Sequence, residues 1–278
     1  MLLLVDGSNL LFQMFYGMPA RIVNAQGRPI QGTVGFVGAL LKIIRMVCPT
    51  HVAVLFDGEC HNVRTELDSE YKANREDFSQ LPEEDTPFSQ LPDIFAALDY
   101  LGIRYAETTD CEADDWMAAF AVNNGGREVV IASQDSDLFQ LITDKVHILR
   151  YRGEKTVLCN EQYIRQKLGI APSQYAAFKA LTGDSSDHIR GVEKVGPKTA
   201  AALLAQFGDL ETILRRADEI AKPSIRFSLQ KNAERARLNY LLVKLDGKVP
   251  LPFAPETLAW QDRGETSTQV LRAVGVRA

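Results

Sequence analysis

An α/β fold with a mostly parallel central sheet is predicted by three features of the sequence. Short apolar runs recur at residues 2–5, 51–56 and 127–133, with the length and continuity of strands buried on both faces. Helical patterns lie between them, at 33–47, 91–101 and 113–123. An aspartate follows each run: Asp6, Asp57 and Asp135. Strands alternating with helices at this spacing imply right-handed crossovers, which align the C-terminal strand ends along one sheet edge. Ligands bind at that edge in such folds, so three aspartates distant in sequence become neighbours by topology alone.

Taken in order, residues 2–5 run into Asp6-Gly7-Ser8-Asn9, a turn and helix cap. Val52, Val54 and Phe56 repeat the design ahead of Asp57-Gly58. From Glu59 to Phe78 the spacing predicts a helix, with Arg64, Asp68, Lys72 and Arg75 on one stripe and Val63, Leu67, Tyr71 and Phe78 on the next. Two readings of the charged stripe stand: ordinary surface charge, or cations rooted beside Asp57 and placed to steady a scissile phosphate. Residues 79–89, with Pro82 and Pro87, read as a connection. Cys111-Glu112-Ala113-Asp114-Asp115-Trp116 then sets three carboxylates in four residues where a turn hands over to a helix. By themselves these acids suit the partly positive first turn of a helix. Gln134-Asp135-Ser136-Asp137 follows the third strand; 145–159 alternates like a hairpin; 162–168 and 173–181 look helical. Gly183-Asp184-Ser185-Ser186-Asp187 adds two aspartates, and Gly196-Pro197-Lys198-Thr199 starts a helix that buries Leu203, Leu204 and Phe207 and closes at Gly208. Free N–H groups at that start, with Lys198, suit a phosphate. Residues 249–278 carry no motif that assigns them a role.

Nine carboxylates therefore fall in loops that such a sheet gathers: Asp6, Asp57, Glu112, Asp114, Asp115, Asp135, Asp137, Asp184 and Asp187. Like charges a few ångströms apart raise one another's pKa and repel, and hard divalent cations with oxygen ligands relieve both effects. The cluster predicts metal ions.

The 278 residues, 46% hydrophobic and 24% charged, suffice for one large domain with an appendage or for two domains. A net charge of -5 argues against a nucleic-acid partner until the nine carboxylates are assigned to metal. Of 36 acids, 27 then remain against 31 Lys and Arg, a balance of +4. Between Arg215 and Lys248 stand nine basic residues and four acids, either a phosphate-facing surface or a solvated helical face. Cys48, Cys60, Cys111 and Cys159 show neither zinc-finger spacing nor a disulfide framework, so a reduced intracellular protein without zinc is expected. Residues 1–6 are too short an apolar run for a signal peptide, and the longest such stretch, 33–48, carries Lys42 and Arg45, which argues against a membrane span. A cytoplasmic location is expected.

The motifs Asp6-Gly7-Ser8-Asn9, Phe56-Asp57, Tyr71-Lys72-Ala73-Asn74-Arg75, Glu112-Ala113-Asp114-Asp115, Asp135-Ser136-Asp137, Gly183-Asp184-Ser185-Ser186-Asp187 and Gly196-Pro197-Lys198-Thr199, in that order, closely resemble the bacterial 5'-nuclease family. That family comprises the 5'-3' exonuclease domain of DNA polymerase I and stand-alone flap endonucleases. The match runs from about residue 2 to 214 and more weakly to 253. The resemblance implies a PIN-like nuclease core at 1–168, with a helical arch at about 59–90. A helix-three-turn-helix module, of the helix-hairpin-helix type, would hold duplex DNA at 169–253, leaving a tail at 254–278. A first metal site is implied at Asp6, Asp57, Glu112 and Asp114, and a second at Asp115, Asp135, Asp137, Asp184 and Asp187, some through water. Lys72 and Arg75 would face the scissile phosphate and, with Asp115, complete the expected catalytic set. Arg64, Tyr71, Lys194, Gly196, Lys198 and Thr199 are expected at the DNA, Tyr71 as a packing or base-stacking residue. Two Mg2+ ions are implied, with Mn2+ as a substitute and a monovalent ion such as K+ at the DNA-binding turn. The implied substrates are DNA with 5' flaps, nicks or single-stranded 5' ends, and RNA primer remnants. The expected enzyme is a monomer working beside a separate polymerase and ligase.

The chain departs from the family pattern at Gln13, where an arginine is frequent, at His188 and Arg190 in place of Asn and Pro, and at Glu193-Lys194 in place of Pro-Gly. Losing that glycine bears on the turn's geometry and its ion, and Lys194 adds charge there. All nine carboxylates are present, so hydrolysis of a phosphodiester by metal-activated water is the expected reaction. Two other readings are a non-catalytic binder of branched DNA and an RNA-processing nuclease of the PIN-like group.

Overall fold

The computed structural model describes residues 1–58, 63–74, 78 and 81–276. Strands β1 (Leu2–Asp6), β2 (His51–Phe56), β3 (Arg104–Glu107), β4 (Val129–Ala132) and β5 (Val146–Arg150) are mutually parallel, and β6 (Val157–Cys159) closes one edge antiparallel. Their spatial order is β3-β2-β1-β4-β5-β6. The chain winds outward from β1 through β2 to β3, then returns to the other side of β1 with β4. The switch point of the sheet thus lies between the C-terminal ends of β1 and β4, directly below Asp6 and Asp135.

The period of two along each strand feeds two cores. Leu2, Leu4, Ala53, Leu55, Val129, Ile131, Val146 and Ile148 point into one; Leu3, Val5, Val52, Val54, Phe56, Val130, Ala132 and Leu149 point into the other. Helices α1 (Gly7–Gly17) and α2 (Gln31–Val47) cover the second face. Gly7 lets α1 settle there, since a Cβ would lie 2.5 Å from the Phe56 ring. After α3 (Val63–Leu67), α4 (Leu91–Leu101) completes that layer. On the first face lie α5 (Ala113–Val122), α6 (Glu161–Leu168), α7 (Tyr175–Thr182), a two-stranded hairpin of β7 (Gly183–Asp184) and β8 (Ile189–Arg190), α8 (Pro197–Phe207), α9 (Leu210–Arg215), α10 (Pro223–Lys231) and α11 (Ala233–Val243). Phe178, Leu181, Leu204, Ile213 and Leu229 of these later helices share one core with Trp116, Met117 and Phe120 of α5. At about 1.5–3 kcal/mol for each large apolar side chain, that shared core binds the helical module to the sheet.

One expectation is corrected. The helix over 59–78 is formed only at Val63–Leu67 among the described residues, and turns follow from 69 to 74. Asp68 ends it: its carboxylate accepts the N–H of Glu70 (3.0 Å), an alternative to the helical ladder, and also pairs with Arg235. Residues 254–276 return to the sheet. Trp260 donates its backbone N–H to Thr50 O (2.9 Å) and its indole N–H to Leu101 O (2.8 Å), and α12 (Ser267–Ala273) buries Val270 and Leu271 against α2 and α4. Of the nine basic residues at 215–248, Arg216 pairs with Glu219, Arg235 with Asp68, and Arg237 with Glu211 and Glu234, which favours the solvated-face reading at these three. Among the described residues no helix is long and apolar enough to cross a membrane.

Candidate active site

The first group of carboxylates forms around the switch point. Asp6 ends β1 and caps α1, with Oδ1 accepting the Asn9 N–H (2.9 Å) and Oδ2 the Ser133 hydroxyl (2.7 Å). Burial, then the charges of Asp57 and Asp135, push Asp6 up to about 7, against those two hydrogen bonds. Asp57 follows β2; its Oδ1 accepts the N–H of Ala113 at the start of α5 (2.9 Å), and its own N–H donates to Ser8 Oγ (2.8 Å). Asp114, in the first turn of α5, is raised well above the usual carboxylate range by burial and by Asp135, Asp6 and Asp57, with Lys72 opposing. Asp135 accepts the N–H of Asp137 (2.8 Å) and donates its own N–H to Ser133 Oγ (3.0 Å). Four strand-end loops thus bring Asp6, Asp57, Asp114 and Asp135 into one electrostatic group.

Asp137, Asp184 and Asp187 make a second group, one carboxylate oxygen of each lying within 4.8 Å of the others. Asp137 is buried and its Oδ1 accepts no hydrogen bond. Burial, then Asp135, raise its pKa well above the ordinary range. Lys179 partly balances the group, pairing with Asp184 and standing 3.8 Å from Asp137. Although burial opposes it, the bond to Lys179 holds Asp184 below its usual range. A buried carboxylate oxygen without a donor, inside a triple of carboxylates, fits a hard divalent cation.

Cations of the chain itself claim the remaining two acids. Arg64 is buried, its Nη1 bonded to Glu112 Oε2 (2.9 Å) and Asp115 Oδ2 (2.9 Å), its Nη2 to Asp115 Oδ1 (2.7 Å) and Lys244 O (3.2 Å). Asp115 Oδ1 accepts the Asp246 N–H as well (2.8 Å). Arg64, expected at the DNA, is therefore a buried fork beneath the site, and Asp115, expected on the second metal, has both oxygens engaged by Arg64. Lys72 pairs with Glu112 while its N–H donates to the backbone O of Asp187 (3.0 Å), from a left-handed backbone position (φ 58°). Tyr71 is buried with Ile189, Leu242 and Val243, its hydroxyl 3.4 Å from Glu112 Oε2, which makes it a packing residue. Arg75 lies outside the described residues.

At the expected DNA-binding turn, Lys194 occupies the left-handed region that glycine favours (φ 63°). Gly196 and Lys198 are exposed, Thr199 is half-buried, and no side chain caps α8. His188 accounts for its own departure by contacting Glu70 O (3.0 Å), and Asn74 donates to Ser185 O (3.1 Å), so the segment around Lys72 is stitched to the β7–β8 loop. Sequence reasoning missed Lys179, Ser8 and Ser133. The signal for Lys179 was a single cation among the apolar positions of α7, five residues ahead of Asp184.

A model of the 5'-3' exonuclease N-terminal, resolvase-like domain matches residues 1–169. The chain belongs to the 5'-3' exonuclease family. The C-terminal SAM-fold domain of 5'-3' exonucleases matches residues 170–266, which takes in the helical module and part of the returning segment. Similar proteins include DNA polymerase I of Rhizobium leguminosarum, 38% identical over 266 residues, and the thermostable DNA polymerase I of Thermus aquaticus, 36% identical over 251. The matches cover 92% and 90% of this chain but only 26% and 29% of those polymerases, so the chain spans under a third of these relatives. Among solved structures, the bacteriophage T5 5'-exonuclease with zinc bound is similar at a TM-score of 0.73 and 26% identity, over 88% of this chain and 89% of that one. The T5 flap endonuclease in a pseudo-enzyme-product complex with DNA and metal ions follows at a TM-score of 0.72 and 26% identity, over the same shares of both chains. The Rad2 catalytic core, 17% identical at a TM-score of 0.63 over 98% of this chain and 92% of that one, shares the fold. As a member of the exonuclease family, the chain is a phosphodiester-hydrolysing nuclease.

Proposed function

We propose that this exonuclease-family chain cuts DNA at 5' flaps, nicks and single-stranded 5' ends, removing RNA primer remnants as well. Two adjacent carboxylate groups by the switch point, with Lys72 held beside them on Glu112, carry the reading. Asp6, Asp57, Asp114 and Asp135 would hold one Mg2+, and Asp137, Asp184 and Asp187 the other, with Glu112 between them and Mn2+ as a substitute. When bound, the ions supply an activated water and neutralise charge on the attacking and leaving oxygens. The rest is done by the chain. Lys72, with Arg75 beside it in sequence, stabilises negative charge on the phosphate. Arg64 fixes Asp115 and Glu112, and hence the start of α5, in one orientation. Lys194, Gly196, Lys198 and Thr199 grip a duplex phosphate at the α8 N-terminus, where a K+ ion would add positive charge. The enzyme acts as a cytoplasmic monomer in step with a polymerase and a ligase.

The test is single-turnover cleavage of a labelled 5'-flap duplex with Mg2+ and with EDTA, for wild type and Asp135→Asn together. Metal-dependent cutting near the junction by wild type alone is expected. Tight junction binding without cutting in any divalent metal would sink the proposal in favour of a non-catalytic binder, and preferential cutting of an RNA flap would shift it to RNA processing.

A further inference from the structure

Two neutral amides, Gln140 and Asn239, tie the segments that carry the second carboxylate group to α11, and the reaction above gives neither a part. Gln140 stands in the 3-10 turn Asp137–Leu141, three residues after the buried Asp137. Its Nε2 donates to Asp137 O (2.8 Å) and to Val243 O at the end of α11 (3.0 Å), while its Oε1 accepts the Leu245 N–H (3.0 Å). Both N–H groups and the carbonyl oxygen are thus spent on backbone, which fixes the amide's orientation. The turn that aims Asp137 is thereby fastened to α11 and the residues after it. Those residues are themselves held in place, since Lys244 O accepts Arg64 Nη2 (3.2 Å) and the Asp246 N–H donates to Asp115 Oδ1 (2.8 Å).

Asn239 does the same for the β7–β8 hairpin. It is fully buried in α11, one turn before Val243 and so about 6 Å away along the axis. Its Nδ2 donates to Ala180 O of α7 (3.0 Å) and to Arg190 O of β8 (2.9 Å), and its Oδ1 is buried and accepts no hydrogen bond among the described residues. A buried oxygen left unpaired is costly, and the two carbonyls that Nδ2 satisfies offset it. Arg190 pairs with Gly183, the residue before Asp184, and Ala180 follows Lys179, which pairs with Asp184. The neck of the hairpin is tight as well, since a Cβ on Gly191 would lie 2.3 Å from Thr182 C. Neutrality matters at both positions: an ammonium or guanidinium would be drawn to the carboxylates and compete with a metal ion, whereas an amide holds carbonyls without adding charge.

We propose that Gln140 and Asn239 are positioning residues of the second metal site, registering Asp137 with Asp184 and Asp187 on α11 as a common beam. The inference rests on the nuclease reading and adds the support that sets the spacing of its second ion's ligands. The three carboxylates come from two segments far apart in sequence, the 3-10 turn after β4 and the β7–β8 hairpin. One amide pins each segment to the same helix or its continuation, so loosening either pin lets the carboxylates drift apart. Groups that orient metal ligands from outside the coordination sphere typically govern affinity by about 10- to 100-fold.

Mn2+ binding to the free protein, followed by isothermal titration calorimetry, tests this without turnover, and Asp187→Asn identifies the binding step that belongs to the second group. Gln140→Met and Asn239→Leu keep side-chain volume and remove the amide; each should weaken the second step about 10-fold and leave the first within about 2-fold. Asn239→Ser, which keeps a donor for one of the two carbonyls, should fall between. Gln140 is only half-buried, so its variant decides the matter if Asn239→Leu does not fold. Because both amides act through α11, the double variant should lose less than the product of the single losses. Leu229→Ala, buried in α10, which carries neither amide, should lower the melting temperature by its cavity and leave both steps unchanged. Wild-type affinity in Gln140→Met and Asn239→Leu, equal weakening of both steps, a second-step loss in Leu229→Ala as large as theirs, or single losses that multiply in full would overturn the proposal. The two readings fail separately. A wild type that binds two ions and cuts the flap duplex, with variants that bind as it does, removes the positioning role alone. Two ions bound and weakened in the variants, without cutting, removes the catalytic reading alone, and a wild type that takes up one ion removes the second site and this proposal with it.

Discussion

Lys179→Met tests the charge balance of the second carboxylate group. The Lys179 side chain is 14% exposed and sits between Asp184 and Asp137, whose side chains are 9% and 10% exposed. Methionine keeps length and apolar stem but removes the ammonium. Deleting one partner of a buried ion pair costs about 3–5 kcal/mol because the surviving charge is left uncompensated, and the residual exposure here points to the low end, about 3 kcal/mol. Each kcal/mol moves the melting temperature of a chain this size by about 2–4 °C, so the variant should melt roughly 6–12 °C below wild type in EDTA. A divalent cation competes with Lys179 for Asp184 and should therefore bind the variant more tightly. At about 100 times the variant's Kd, binding adds about 2.7 kcal/mol to it and less to wild type, so in Mg2+ the gap should shrink to a few degrees. Calorimetry decides the matter: an equal gap in EDTA and in Mg2+ would show that Lys179 acts by packing, and the electrostatic argument would be wrong.

Three further outcomes are expected. Lys194→Gly should raise stability by about 1 kcal/mol by relieving the left-handed backbone while weakening duplex binding, and an unchanged melting temperature would contradict the strain. Lys72→Ala should slow single-turnover cleavage about 100- to 1000-fold with duplex affinity nearly kept, whereas a matching loss of affinity would make Lys72 a tether. In EDTA, stability should fall as pH rises from about 4 to about 7, because Asp6, raised from 3.8 to about 7 by burial and by Asp57, binds its proton more tightly in the folded state. Urea titrations across that range check the sign, and a profile that climbs would refute it.

The sheet was legible because its strands are buried on both faces and their apolar runs are unbroken. β3 escaped detection: Arg104-Tyr105-Ala106-Glu107 lies at the sheet edge, where no continuous apolar run is required. The carboxylates of the site were legible from their places after strands. Their partners were less so. Nothing local in the sequence marks Arg64 as buried, because the acids that hold it, Glu112 and Asp115, lie 48 and 51 residues further along the chain. Likewise Val270 and Leu271 occupy a helix of seven residues, too short for a periodic signal, and their burial depends on a surface that α2 and α4 expose. Local pattern reports which side of an element is apolar, and it is silent on which distant surface will receive it.

The return of residues 254–276 to the sheet has a mechanical meaning. The polypeptide leaves the sheet layers once to build α7 to α11 and comes back once to place α12, so two crossings of the chain, besides the shared core, tie the helical module to the sheet. A body held at a single point can swivel about any axis through it. Held at two, its cheap rotations collapse to the one about the line joining them. If the module tilts when it takes hold of a duplex, that line is its hinge pin, and Asp184 and Asp187, carried on the module's own hairpin, would swing with it relative to Asp6.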